Sequence, residues 1–546
     1  MHDVVIIGAG HNGLVCAAYL AGAGLRVQVL DQRPLEGGAA VTEEFSPGFF
    51  NSTASYAVSL LNPKIIRDLD LAAHGLKIVA RPIANFLPLD TQGYLKVGTL
   101  EQTQQEVSKF SQKDAARLAD YHARLKAVAE ILRASLLETP PNIVEGHPLA
   151  ALAELIKTAR IANRLRWVGL EGQRDILDLF TGSAGDVLDG FFESAPIKAV
   201  YGFDCVVGSF QSPYTAGSAY VLLHHAFGEV NGAKGQWGHA IGGMGAITKA
   251  MAKAARLRGA EIRLSTRVSR ILIEKAGVVG VETEKGEFVR AKIIAAGVNP
   301  KLLYSHLIEA RALPEDFRSR MANWRCGSGT FRMNVALAEL PDFSVLPGRD
   351  RAEHHASGII IAPSLAYMEQ AYFDARTFGW SRQPVIEVVI PSTLDDTLAP
   401  PGLHVASLFC QHVAPKLPAG ASWDDHREEV ADLMIETVTQ HAPNFRRSIL
   451  ARQIYSPLDL ERTFGLLDGD IFHGALDLRQ IFSARPLLGY ADYRTPIKGL
   501  YLCGAGAHPG GGVTGAPGHN AAREILRDLN RRFRGKTKNN GHHPAS

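Results

Sequence analysis

The chain has 546 residues, 46% of them hydrophobic and 21% charged, with a net charge of +3 at neutral pH. That length exceeds what one hydrophobic core sustains, so two or more domains are expected, and so small a charge supplies no argument for a nucleic-acid partner, none of which is assigned. Five scattered cysteines form no CxxC, which leaves neither a zinc ribbon nor a dithiol redox centre and suits a reducing compartment.

In chain order, residues 3–31 read as strand, glycine turn, helix and strand. Val4 to Ile7 is an apolar run, Gly8-Ala9-Gly10-His11-Asn12-Gly13 is the turn, residues 14–24 form an amphipathic helix and 27–30 a second apolar run. In such a turn the first glycine bends the chain, the second lets backbone approach a pyrophosphate, and the third packs helix on strand. The helix then offers its free N–H groups to the phosphates. Asp31, 18 residues beyond Gly13, stands where a carboxylate binds a ribose hydroxyl, with Gln32 and Arg33 beside it. A dinucleotide site is therefore expected. Gly37-Gly38-Ala39-Ala40 gives a second stretch where backbone passes close to a large cofactor, and residues 45–56 are expected as a loop folded over the site. The first strand begins at residue 3, leaving no room for a cleavable leader, and no run of 18 apolar residues occurs. A cytoplasmic, bacterial protein is the expectation.

From residue 81 this pattern stops. Ser108 is expected to cap one long helix to Leu137, with more helix over 150–166, 175–180 and 184–192, so 100–230 reads as a helical insertion. Lys157, Arg160, Arg164 and Arg166 among apolar neighbours suit a peripheral membrane contact, although a solvated helix face has the same pattern. His224-His225 has no carboxylate nearby in sequence, and no metal site is expected. His239 precedes the turn Gly242-Gly243-Met244-Gly245, which opens a helix over 246–257 but lacks a preceding apolar strand, so it is not read as an NAD(P) site. Runs at 261–264, 267–273, 278–283 and 288–290 give a strand and an antiparallel meander; a separate strand, 292–296, then returns to the first domain and ends at Ala296 and Gly297. Strands at 330–337, 358–361, 385–390 and 404–409 alternate with helices at 367–378 and 425–441, an open sheet with helices on one side. Phe331 and Tyr367, with Tyr56, are the expected lining of a substrate pocket. The last strand, 499–503, leads into a second glycine loop, Gly504 to Gly518, and a helix to about Leu529. Residues 531–546 read as a disordered basic tail, with His542 and His543 belonging to the tail.

Two glycine loops 500 residues apart, each between strand and helix, suit one long cofactor. FAD fits, with its adenosine and pyrophosphate at the first loop and its isoalloxazine at the last helix, whose dipole would stabilise negative charge on the reduced ring. The expected FAD-binding domain is discontinuous, 1–80, 235–300 and 486–530; 81–234 and 301–485 form the substrate domain. His508, in the closing loop, and His239 are the candidate catalytic residues. A structural role for His508, fixing the loop through backbone bonds, is the competing reading.

The fingerprint, the Gly37–Ala40 loop and the closing Tyr501-Leu-Cys-Gly-Ala-Gly-Ala-His-Pro-Gly-Gly-Gly resemble the phytoene-desaturase-like flavoproteins. Gly37-Gly-Ala-Ala-Val-Thr-Glu-Glu44, Pro384-Val-Ile-Glu-Val-Val-Ile-Pro391, Leu398-Ala-Pro-Pro-Gly402 and Leu460-Glu-Arg-Thr-Phe464 are most similar to the pyridine nucleotide-disulfide oxidoreductase domain-containing protein 2 family. The resemblance implies a glutathione-reductase-type (Rossmann-like) FAD fold of class α/β, with Asp31 on the ribose, backbone of Val268 at the adenine, and Gly504, Ala505 and Gly512-Val513-Thr514-Gly515 at the flavin. Many relatives have Gly-Asp in the last loop where this chain has Gly504-Ala505, so the ribityl contact of that Asp must come from elsewhere. The implied activity is oxidation or desaturation of an apolar small molecule, with oxygen, a quinone or NAD(P) as electron acceptor. A carotenoid desaturase or ketolase at a membrane surface, and a carrier of lipidated ligands like the Rab GDP-dissociation inhibitors, are the alternatives.

Overall fold

In the computed structural model, which describes residues 1–90, 93–142 and 148–539, two seven-stranded sheets organise the chain. The first contains five parallel strands in the order Glu261–Arg263, Val27–Leu30, His2–Ile7, Phe288–Ala296 and Leu500–Leu502. These strands are short and apolar because helices cover them; Val4, Val5 and Ile6 are fully buried. Phe288–Ala296 is one nine-residue strand, not the two expected. Its first half pairs antiparallel with Gly277–Thr283 in the meander, and its second half pairs with His2–Ile7, Ala296 opposite Ile7. One strand thereby serves both sheet types, and the sequence contains no turn residue to divide it.

Helix His11–Gly22 follows the first strand directly. Gly13 is forced there, since a Cβ at that position would collide with the Gly8 carbonyl oxygen. The last helix, Ala516–Asn539, packs on the first through a similar approach, Gly518 against the Asn12 carbonyl. That helix continues through residues expected to be a disordered tail; residues 540–546, including His542 and His543, lie outside the described residues. Helix Met244–Leu257 is the third packed on this sheet. Its first N–H groups are taken by Ser52 Oγ at 2.9 Å (from Met244) and Thr42 Oγ1 at 2.9 Å (from Gly245), so the 242–245 turn is capped by the protein itself.

The second sheet runs Ile449–Tyr455, Thr330–Leu337, His404–Val413, Trp380–Val389, Gly358–Ile361, Asn85–Leu89 and Gly93–Val97, antiparallel except between Gly358–Ile361 and Asn85–Leu89. Helices cover both faces, not one. Leu365–Phe378 and the helices around Leu188 and Phe203 pack on one side with Leu87, Ile360 and Phe409; Trp423–His441 packs on the other with Phe331, Met333 and Val335. The helical stretch after residue 99 is also divided. Thr99 caps Leu100–Ser108 with a capping box, and Ser111, not Ser108, caps Gln112–Ser135. Residues 42–56 form a two-stranded hairpin, Thr42–Ser46 with Phe49–Ser52, before the chain reaches Tyr56.

Candidate active site

A cavity of about 830 Å³ lies between the two sheets, within the size range of small-molecule and cofactor sites. The first glycine turn forms one end. Gly8, Gly10, His11, Asn12, Gly13, Asp31, Gln32 and Arg33 line it, together with Gly38, Ala39, Ala40, Val268 and Gly297. The closing loop contributes Ala505, Gly512 and Val513. Val513 has φ +57°, a left-handed backbone that a β-branched residue adopts only under constraint. Six other residues expected at the cofactor lie outside the lining. Gly37 donates its N–H to the Ala9 carbonyl at 2.9 Å. Ala296 is fully buried within the sheet, and a Cβ on Gly504 would press on the Gly297 backbone. The Thr514 hydroxyl accepts from Ala516 N–H at 3.1 Å, and Gly515 abuts Ile65 and Val15.

The donor and acceptor pattern of the first end suits a dinucleotide. A Cβ on Gly10 would meet nothing within 4 Å, so the backbone is bare towards the cavity. No side chain caps the N-terminus of His11–Gly22, and its first turn holds no acid, leaving that end free for an anion. His11 Nε2 and Asn12 Oδ1 are buried without a partner. Burial, reinforced by His473, holds His11 down at about 3, so its ring is neutral. Asp31 accepts Ala9 N–H at 2.6 Å on one oxygen and Arg33 N–H at 2.8 Å on the other. Each oxygen keeps a lone pair for a further donor. Arg33 is fixed by Glu43, 2.8 Å to each carboxylate oxygen, with its guanidinium 4.7 Å from the Phe464 ring centroid.

The loop carrying His473 closes the same cavity. Asp470 accepts N–H groups of Gly327 (3.0 Å), Phe472 (2.8 Å) and Gly474 (3.0 Å), holding His473 at φ +57°. Fully buried Arg485 ties this loop to the closing one, donating to Ala505 O (2.7 Å), Phe472 O (2.8 Å) and Gln480 O (2.9 Å). Among the described residues no group of three His, Cys, Asp or Glu is arranged to hold a metal.

The catalytic histidines expected from sequence are placed elsewhere. His508 does not line the cavity; its Nε2 pairs with the Ser135 carbonyl at 3.2 Å, and burial lowers it to about 4. The backbone carbonyl of His508 accepts from Tyr493 at 2.9 Å, which fits the competing structural reading. His239 also lies outside the lining, its Nε2 2.9 Å from buried Asp395. Of the expected pocket aromatics only Tyr56 lines the cavity. Phe331 sits on the far face of its strand against Trp423, ring centroids 5.9 Å apart. Tyr367 gives its hydroxyl to Pro384 O at 3.0 Å. The side chains that sequence reading missed are Phe409, Trp237, Phe472 and His225 in the wall, and Arg332, Glu387 and Arg81 behind Tyr56. The one local signal for the last group is a charged residue inside an apolar strand run, Arg332 within Thr330–Leu337 and Glu387 within Trp380–Val389.

A parallel sheet that opens on a glycine turn and faces an antiparallel sheet across a shared cavity is the arrangement of an FAD-binding oxidoreductase fold, and the chain belongs to the flavin-containing amine oxidoreductase family, whose model matches residues 13–330. More particularly, it is 40% identical over 545 residues to pyridine nucleotide-disulfide oxidoreductase domain-containing protein 2 of Rattus norvegicus, covering 97% of this chain and 94% of that one. It is 28% identical over 548 residues to a limonene dehydrogenase subunit of Castellaniella defragrans, covering 96% and 95%. An oxidoreductase structure from Methanosarcina mazei shares the fold with TM-score 0.60 at 16% identity, over 96% of this chain and all of that one. The protein is an FAD-dependent oxidoreductase, and this family favours that reading over a carrier of lipidated ligands. No described helix is long and apolar enough to cross a membrane.

Proposed function

We propose that the enzyme takes a hydride from an apolar small molecule. The observation that carries this reading is the wall of the cavity away from the first glycine turn, where Leu60, Val207, Trp237, Phe409, Ile471 and Phe472 present apolar surface. Bound FAD supplies the hydride acceptor at N5. The chain's part is to hold the dinucleotide through Asp31 and the first helix, exclude water with these side chains, and orient the substrate. The neighbouring histidines contribute no positive charge: His11 at about 3, His473 at about 4 and His225 at about 4 are all neutral rings, each lowered by burial. The relative named as part of a limonene dehydrogenase supports an apolar substrate. Anaerobic mixing of the FAD-loaded protein with a panel of hydrocarbons, apolar alcohols and polar amino compounds tests it. Bleaching of the flavin by apolar members is expected; bleaching by the polar members alone would overturn it.

A second reading concerns where the enzyme works. Helices Pro148–Arg166 and Gly169–Thr181 and the turn between them expose Leu155 (60%), Trp167 (81%), Leu170 (64%) and Leu177 (60%), among Arg160, Arg166 and Arg174. Exposed apolar side chains and a tryptophan, with Arg160, Arg166 and Arg174 outnumbering the acids Glu171 and Asp178 beside them, suit the surface of an anionic bilayer.

A further inference from the structure

Among the described residues Tyr56 is the one tyrosine in the cavity wall, and its surroundings come from four distant segments. Its phenol donates to one oxygen of Glu387. The other oxygen of Glu387 faces Arg81 Nη1 at 3.5 Å, with the Arg81 and Glu387 side chains only 4% and 8% exposed. Gly358 makes room for this carboxylate, since a Cβ there would strike Glu387 Oε1. The Tyr56 ring stacks on Phe409 at 5.2 Å, and the guanidinium of Arg332 lies 4.5 Å from its centroid. Arg332 is itself buried, anchored to Ser407 Oγ at 2.6 Å and Leu408 O at 3.1 Å.

We propose that Tyr56 is a substrate-recognition residue and that the substrate carries a neutral hydroxyl donor on its apolar body, not an ammonium group. This rests on the reading of an apolar substrate. The hydrogen of Tyr56 is committed to Glu387, so its oxygen has only lone pairs to offer and pairs with a donor. Charge then selects the kind of donor. Two buried cations, Arg81 and Arg332, stand against one carboxylate, Glu387. Asp204, whose carboxyl is raised to about 8 by burial and then by Glu387, adds no full negative charge at pH 7. The cluster is net positive and repels a cationic amine. The Tyr56 face that would hold an ammonium by cation–π attraction already holds Arg332.

Calorimetric titration of the FAD-loaded protein at pH 7 with hexan-1-ol, 1-methoxyhexane and hexylamine tests this. Hexan-1-ol is expected to bind about tenfold tighter than either, the range of one net hydrogen bond. Tyr56→Phe keeps the ring and is expected to bring the alcohol to the affinity of the ether while leaving the ether unchanged. An ether that binds the wild type as tightly as the alcohol, or an amine that binds tightest, overturns the proposal while an apolar site stands. Binding of none of the three overturns the apolar reading itself and the proposal with it. The wild-type comparison decides the matter even where Tyr56→Phe fails to fold.

Discussion

Asp31 gives the most direct test of how the cofactor is held. Its two oxygens already accept Ala9 N–H at 2.6 Å and Arg33 N–H at 2.8 Å, and the remaining lone pairs are the proposed acceptors for the adenosine ribose hydroxyls. A hydrogen bond to a charged acceptor is worth about 1.5–3 kcal/mol, or roughly ten- to a hundredfold in affinity. Asp31→Asn keeps the shape and one acceptor but sets an NH2 against a backbone N–H. FAD should bind about tenfold more weakly. Asp31→Ala also leaves two N–H groups without an acceptor, and a loss of about a hundredfold or more is expected. Titrating apoprotein with FAD and following flavin fluorescence measures both, with circular dichroism of the apoproteins as the control for folding. The pH dependence adds an independent check. Burial, opposed by the Arg33 and Ala9 N–H groups, raises the Asp31 carboxyl above its ordinary 3.8. Ribose binding needs the anion, so wild-type FAD affinity should weaken as pH falls through this raised value. A folded-state pKa raised above the unfolded one means that protonation of Asp31 favours the apo fold, so from this group the apoprotein loses no stability in that same window. Asp31→Asn should show no such fall in affinity. Affinities of both variants within twofold of wild type would refute the assignment of Asp31 to the ribose.

Two further outcomes follow from the fold. Burial pushes the Asp395 carboxyl up, but hydrogen bonds from His239, Thr397 and Gly242 outweigh it and hold it at about 2 against an ordinary 3.8; its stabilising contribution is present above 3.8 and lost as pH falls through 2. Thermal melts from pH 5 to 2 should therefore show a steeper loss for the wild type than for Asp395→Asn, and parallel curves would contradict the linkage. For the proposed bilayer contact, co-sedimentation with phosphatidylglycerol vesicles should exceed that with phosphatidylcholine. It should fall at least severalfold in a Trp167→Ser, Leu170→Ser double variant; equal sedimentation of variant and wild type would remove these helices from the contact.

The first end of the cavity was legible because its chemistry is backbone chemistry. A dinucleotide held by N–H groups needs glycine at fixed spacing, and the collision a Cβ at Gly13 would make with Gly8 shows why no other residue serves. Strand parity limited the reading of the second sheet. Phe331 and Arg332 are neighbours in sequence on opposite faces, as side chains in any strand must be. The aromatic residue went to the helix at Trp423–His441 and the charged one to Tyr56. Without knowing which face meets the cavity, hydrophobicity selects the wrong member of such a pair. His508 is placed outside the cavity lining for a related reason. Its loop does reach the cavity, but the imidazole turns away to the Ser135 carbonyl, a contact 373 residues distant in sequence.

The cluster around Tyr56 shows why the substrate end resists sequence reading altogether. Tyr56, Arg81, Arg332 and Glu387 lie in four separate segments, and only folding brings them into contact. No spacing rule connects residues 331 positions apart. What the sequence does contain is the cost: a glutamate and an arginine in strands otherwise built to be buried. A buried charge without a partner is strongly destabilising, so each implies a counter-charge or hydrogen-bond acceptors and donors brought to it by the fold. Part of that cost is met here, by pairing Glu387 with Arg81 and by hydrogen bonds from Arg332 to Ser407 and Leu408, while Arg332 Nε stays without a partner. An apolar pair of similar size would fill the same space without this cost, so stability alone does not account for charges at this wall. The proposed selection between donors at Tyr56 gives them a role: on that proposal, removing either arginine takes one positive charge from the wall and weakens its repulsion of an ammonium group.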